Sequence, residues 1–192
     1  MSTLIIHTQD STTDFLKPIY ASITNKTIIT GGIDKNELRE LIEIHERVII
    51  LGHGSPWGLL SVGQFSYGGN YIIDLTMVDL LSQKKDNLYI WCNADQFVKN
   101  NQLKGFFCGM FISELEEANY YDLWDLEQHT IDESNNGFAE IVAKYINKPL
   151  SIMFENVLQD YRILAKTNPI ARFNLERLYL NEIKRQPAKL IN

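Results

Sequence analysis

Two residues with complementary chemistry close two of the most apolar runs in the chain. Val48-Ile49-Ile50-Leu51 leads into Gly52-His53-Gly54, and Leu88-Tyr89-Ile90-Trp91 leads into Cys92. A free thiol is only a few per cent thiolate at neutral pH. An imidazole beside it can take the proton, or steady the thiolate as an imidazolium. Cys92 is therefore the candidate nucleophile and His53 the candidate general base. Attack on an acyl carbon also needs N–H donors aimed at the developing oxyanion. Gly54 has no Cβ to keep a substrate from the backbone, and its N–H and that of Cys92 are the candidate donors.

The elements that must carry these groups follow from the apolar pattern. Residues 3–7, 26–30, 47–52, 87–92 and 105–112 read as strands. Residues 34–45 read as a helix, with Asp34 and Glu37 at capping-box spacing. Residues 12–23, 74–83, 94–101 and 113–119 read as shorter helices, and 133–146, 149–166 and 169–185 as three more, the last opened by Pro169. Residues 57–75 suggest a β-hairpin turning near Gly68-Gly69-Asn70, and the polar-aromatic stretch 119–137 a long loop. Strands alternating with helices imply a mainly parallel sheet covered on both faces, an α/β fold. In such sheets functional groups gather at the carboxyl ends of the strands. One hairpin and one crossover helix separate His53 from Cys92, so their strands are expected side by side.

The other titratable residues are read as structural. Cys108 lies in Gly105-Phe106-Phe107-Cys108-Gly109-Met110, apolar on both sides, and reads as core. His7 ends the first strand, His45 lies on a helix face and His129 in a loop, without metal-site spacing. No cofactor or metal is expected, although Cys92, His53 and Asp95 are the set that a zinc ion would need. Tyr120-Tyr121-Asp122-Leu123-Trp124 reads as a loop packed on the sheet, with a partner surface as the alternative.

Composition narrows the classes. The chain of 192 residues is long enough for one domain with a full core, 168–192 reading as a helical extension of it. A net charge of −6 with no basic tract argues against nucleic-acid binding, Lys184, Arg185 and Lys189 forming only a small cluster. No run approaches the ~20 apolar residues of a membrane span. Two cysteines in apolar surroundings and no visible signal peptide point to a reduced, cytoplasmic protein.

An apolar strand ending in His-Gly, followed one crossover later by a strand ending in Cys, resembles the caspase-like cysteine peptidases of clan CD. Within that group the chain is most similar to the CHAT domains. Residues 90–94, IWCNA, look like their Cys-Asn segment. Residues 132–165 look like their closing region, an acidic turn followed by two helices, with Trp124 as the counterpart of a Trp-containing strand. The similarity spans residues 1 to about 165. Asp95-Gln96-Phe97 stand where CHAT domains often carry small residues, so a different cleft is implied. The resemblance implies a caspase-like three-layer sandwich and a His53–Cys92 dyad. It also implies a protein or peptide substrate and activation by a regulatory protein partner. Members that cut after Arg or Lys hold the P1 side chain on a carboxylate, and Asp74 and Asp95 are the candidates, with Glu114 also near the sheet edge; N-capping of a helix is the plainer role for Asp74 and Asp95. If P1 is chosen by apolar contacts instead, Phe65 and Tyr67 would supply them. Two other classes stay open: a silent scaffold or interaction module, and a flavodoxin-like binder using the hydroxyls of Thr8-Gln9-Asp10-Ser11-Thr12-Thr13.

Overall fold

A computed structural model of the chain describes residues 1–61 and 70–182. Its centre is a six-stranded sheet of β1 (Thr3–His7), β2 (Lys26–Ile29), β3 (Arg47–Leu51), β7 (Leu88–Ile90), β8 (Gly105–Cys108) and β9 (Leu178–Asn181). A small three-stranded antiparallel sheet comprises β4 (Gly54–Ser55), β5 (Gly58–Leu60) and β6 (Tyr71–Ile73). The large sheet has the order β2-β1-β3-β7-β8-β9 and is parallel except for β9. The α-helices among the described residues are α1 (Pro18–Ala21), α2 (Lys35–Ile44), α3 (Val78–Leu81), α4 (Ala94–Asn100), α5 (Leu115–Tyr120), α6 (Gln128–Tyr145), α7 (Leu150–Leu164) and α8 (Pro169–Leu175), and none of them is long and apolar enough to cross a membrane.

Helices cover both faces of the sheet because both faces are apolar. On β1 and β3, Ile5, Ile49 and Leu51 point into a core shared with Leu16 and Ile19, with Phe138 and Val142 of α6, and with Met153 and Val157 of α7. The alternate residues Leu4, Ile6, Val48 and Ile50 point to the other face, against Leu38 and Ile42 of α2 and Phe97 and Val98 of α4. All five residues of β3 are buried, and Val48–Leu51 is the continuous apolar run expected of a parallel strand covered on both sides. The Asp34–Glu37 capping box opens α2 as its spacing predicted.

Several elements differ from the sequence reading. The helix expected over 169–185 stops at Leu175, and Leu178–Asn181 turns back as β9, antiparallel to β8 with Cys108 opposite Leu178. A four-residue edge strand after a helix offers too few residues for its period to be read, and its strand character comes from pairing with β8. The expected loop over 119–137 is largely helical, since α6 begins at Gln128 and takes up the acidic residues 132 and 133 in place of a turn. Trp124 lies in no strand and is exposed, as is Tyr120. Of the aromatic stretch, Tyr121 packs on Phe173 of α8. Residues 74–83 form a 3-10 turn (Leu75–Met77) followed by the single turn of α3. The hairpin over 57–75 forms as β5 and β6. Its expected tip, with Phe65 and Tyr67, and the basic cluster Lys184, Arg185 and Lys189 lie outside the described residues.

His7 shows why the first strand ends where it does. It is buried, with Nδ1 3.0 Å from the Tyr20 hydroxyl and Nε2 3.2 Å from Thr13 Oγ1. The Thr13 hydroxyl donates to the Asp10 carbonyl, so it accepts from Nε2–H, and the Tyr20 O–H donates to Nδ1. A neutral ring satisfies this chain, and burial pulls the His7 pKa down to about 4. In the unfolded chain the ring titrates near 6.5 and binds protons that the folded protein refuses. Stability is therefore expected to fall as pH drops from about 6.5 to about 4, by on the order of 3 kcal/mol. Urea unfolding across that window checks this: His7→Gln should be weaker at neutral pH yet show a flatter profile. A wild-type profile as flat as the variant's would contradict it.

Candidate active site

β3 and β7 are hydrogen-bonded parallel neighbours, with Leu51 opposite Ile90. Each continues past its last paired residue into the same edge of the sheet, delivering His53 from one and Cys92 from the other.

The glycines around His53 have separate steric reasons. Gly52 has φ +141°, in the region that favours glycine, and a Cβ there would stand 2.3 Å from Thr8 Oγ1. Gly54 begins β4, and a Cβ on it would stand 2.0 Å from Trp91 Cδ1. The indole of Trp91 therefore lies directly on the Gly54 backbone, and its Nε1–H donates to the Ser55 carbonyl at 3.0 Å. His53 is thus the joint between the two sheets, and the residue just before Cys92 is clamped to the residues just after His53.

On the Cys92 side the chain turns sharply. Asn93 is left-handed, φ +65°, a conformation that Asn tolerates better than most residues. Its N–H donates to the Gly109 carbonyl at 3.0 Å, and the Ala94 N–H to the Trp91 carbonyl at 3.1 Å. This turn lifts Cys92 off the end of β7. Gly54 pairs with Leu59 in the small sheet's ladder. The Cys92 N–H has no acceptor among the described residues.

His53 and Cys92 line one cavity of about 20 Å³, with Gly52, Phe15, Cys108 and Ser113 among its walls. That is room for about one water. The two side chains are not hydrogen-bonded to each other. Cys92 Sγ lies 3.4 Å from the Phe111 carbonyl and 3.8 Å from Glu117 Oε1. Burial first, and the Glu117 charge second, push its thiol up to about 12. Cys92 is therefore held as a thiol in this state. His53 is held by other partners: Nε2 is 2.6 Å from Thr12 Oγ1 and 3.9 Å from Asp10 Oδ2.

Cys108 is fully buried in the core, its Sγ 3.2 Å from the Trp91 carbonyl, and burial raises its thiol well above the ordinary range. Both cysteines are free.

The expected acids are elsewhere. Asp74 caps the 3-10 turn through the Thr76 N–H and is ion-paired with Lys35. Asp95, in the first turn of α4, pairs with Lys99 at 3.0 Å. Neither lines the cavity: Asp74 caps the 3-10 turn and faces Lys35, and Asp95, which caps no helix since Asn93 is the N-cap of α4, faces Lys99. The carboxylates beside the site are Glu114, Glu116 and Asp132, which line a neighbouring cleft of about 380 Å³. Phe15 and Ser113 stand on both cavities. Of these acids the sequence reading had singled out only Glu114. Glu117, Asp10 and Thr12 were missed as well: the capping-box spacing of Glu114 and Glu117 signals only a helix start, and the others lie in a polar stretch whose hydroxyls suggested a flavodoxin-like binder. Of those hydroxyls, Thr12 is engaged with Asp10 and His53 and Thr13 with Asp10 and His7, whereas Thr8 Oγ1 is buried without a hydrogen-bond partner among the described residues.

No family model, curated protein or solved structure matches this chain.

Proposed function

We propose that the protein is a cysteine endopeptidase with a His53–Cys92 dyad, carried on a caspase-like α/β domain. The observation behind this reading is the meeting of a thiol and an imidazole on one small cavity, at the carboxyl ends of paired parallel strands. In the reaction, the Cys92 S–H proton passes to His53. The thiolate attacks the peptide carbonyl carbon, and the oxyanion takes the free Cys92 N–H. The C–N bond breaks as His53 returns the proton to the departing amine. Water then hydrolyses the thioester, releasing the acid and restoring the thiol.

The held thiol makes the described state a resting one. Turnover requires Cys92 to leave Phe111 and Glu117 and turn to His53, since catalytic contacts in unliganded enzymes often tighten only with substrate. A bound peptide, or a regulatory protein acting on α5, would supply that movement. The same held thiol favours a second reading, a silent module that keeps the fold and binds a partner.

The cleft lined by Glu114, Glu116 and Asp132 gives the peptidase reading a direction for specificity. A guanidinium or ammonium there would find carboxylates and no competing Lys or Arg among the lining residues. Fluorogenic peptides differing only at P1 test both points. Arg and Lys substrates should be cleaved faster than Leu or Asp ones, by roughly tenfold or more for a charge-matched pocket. Equal rates would remove the acidic-cleft assignment. No turnover of any peptide, with or without added cell extract, would favour the silent module.

A further inference from the structure

Asp10 and Thr12 follow β1, which flanks β3 on the side away from β7, and Thr12 reaches His53 Nε2. The Thr12 N–H and hydroxyl both bond to Asp10 Oδ1, at 2.9 and 2.8 Å. These two bonds, the backbone one first, hold the Asp10 carboxyl below the usual carboxylate range. Asp10 is thus ionised at neutral pH, and an ionised carboxylate only accepts hydrogen bonds. A hydroxyl has one proton, and that of Thr12 is committed to Asp10. The 2.6 Å contact between Thr12 Oγ1 and His53 Nε2 can then be made in one sense only: the ring nitrogen donates.

We propose that Asp10 and Thr12 are positioning residues that fix His53 in the Nε2–H tautomer and leave Nδ1 as the base. The chain runs Asp10 carboxylate, Thr12 hydroxyl, His53 Nε2–H, with the Nδ1 lone pair free to take a proton. The 3–10 segment Ser11–Leu16 is held in place by Thr13, which donates to the Asp10 carbonyl and accepts from His7. The anchor of the relay is therefore buried, although Asp10 and Thr12 themselves border solvent. When His53 becomes an imidazolium, Asp10 Oδ2 at 3.9 Å also faces the new charge. The catalytic side of this assignment rests on the peptidase reading, but the tautomer does not.

The test is long-range 1H–15N correlation of the full-length protein, at a pH where the ring is neutral. Wild type should show His53 with a protonated Nε2 and a bare Nδ1. Thr12→Ser keeps the hydroxyl and should give the same pattern. Thr12→Val keeps the shape without the hydroxyl and should give a mixture of tautomers. In the peptidase assay Thr12→Val should lose kcat by on the order of ten- to a hundredfold with KM unchanged, because a wrong tautomer disables the base without touching binding, and Thr12→Ser should restore it. A wild-type ring protonated on Nδ1, or a Thr12→Val ring indistinguishable from wild type, overturns the proposal. If Thr12→Val does not fold, wild type and Thr12→Ser still decide the tautomer. If wild type cleaves nothing, the peptidase reading fails while the tautomer pattern still stands or falls by itself.

Discussion

Cys92→Ala is expected to abolish peptide cleavage, by on the order of 10⁴-fold or more, as removal of a covalent nucleophile does elsewhere. The fold should survive. Cys92 sits in a turn at the sheet edge, and its thiol makes two long hydrogen-bond contacts among the described residues, at 3.4 and 3.8 Å. Removing one sulfur there is a change within about 1 kcal/mol. Those contacts are weak S–H donations to the Phe111 carbonyl and the Glu117 carboxylate, so thermal unfolding should change little. Cys108→Ala is the informative contrast. That sulfur is fully buried among core residues, so its removal should cost stability, on the order of 1 kcal/mol or somewhat more, while activity is retained. The paired measurement is kcat/KM and the unfolding midpoint for both variants. Activity lost in Cys108→Ala and kept in Cys92→Ala would invert the assignment of the nucleophile.

Gly54→Ala should be among the most damaging small substitutions in the protein. The added methyl would lie 2.0 Å from Trp91 Cδ1 and 2.7 Å from the Gly58 carbonyl oxygen. Trp91 cannot swing away without giving up its bond to Ser55 and its packing on Phe97, where the rings cross at 61° with centroids 5.7 Å apart. The Gly58 backbone cannot retreat either, since its own α-carbon is packed against the Ile73 carbonyl. Overpacking of this kind costs about 3 kcal/mol, or roughly 10 °C in Tm for a chain of this size. Activity should fall further than stability, because the displaced Trp91 carries Cys92 with it. Gly109→Ala is the control near the same site: its methyl would meet nothing closer than 3.4 Å, and it should change Tm little. Similar melting of the two variants would show that Trp91 is not the rigid link between the His53 and Cys92 segments.

The sheet was legible in the sequence where the apolar runs are continuous. Val48–Leu51 and Leu88–Ile90 are short apolar runs that read as buried strands, and the alternation of strands with helices implied their parallel order. The strand-end placement of His53 and Cys92 followed from that alone. What the sequence hid depends on folding back from a distance. β9 becomes a strand because β8 offers it an edge, not because Leu178–Asn181 has a strong pattern. Asp74 and Asp95 lie close to the site in sequence, but Lys35 and Lys99 claim them. The acids that do border the site come from α5, α6 and the turn before α5, far along the chain. Gly54 looked like an opening for substrate, whereas its missing Cβ is filled by Trp91. Thr12 had no local signal as a partner of His53, since β1 and β3 meet only in the folded sheet.

The most direct test of the central claim is mass-spectrometric mapping of a peptidyl acyloxymethyl ketone, with Arg at P1, on wild type and His53→Ala. A dyad predicts labelling of Cys92 in wild type, no labelling of Cys108, and loss of the Cys92 adduct in His53→Ala. Label on Cys108, or equal labelling of Cys92 with and without the imidazole, would contradict it.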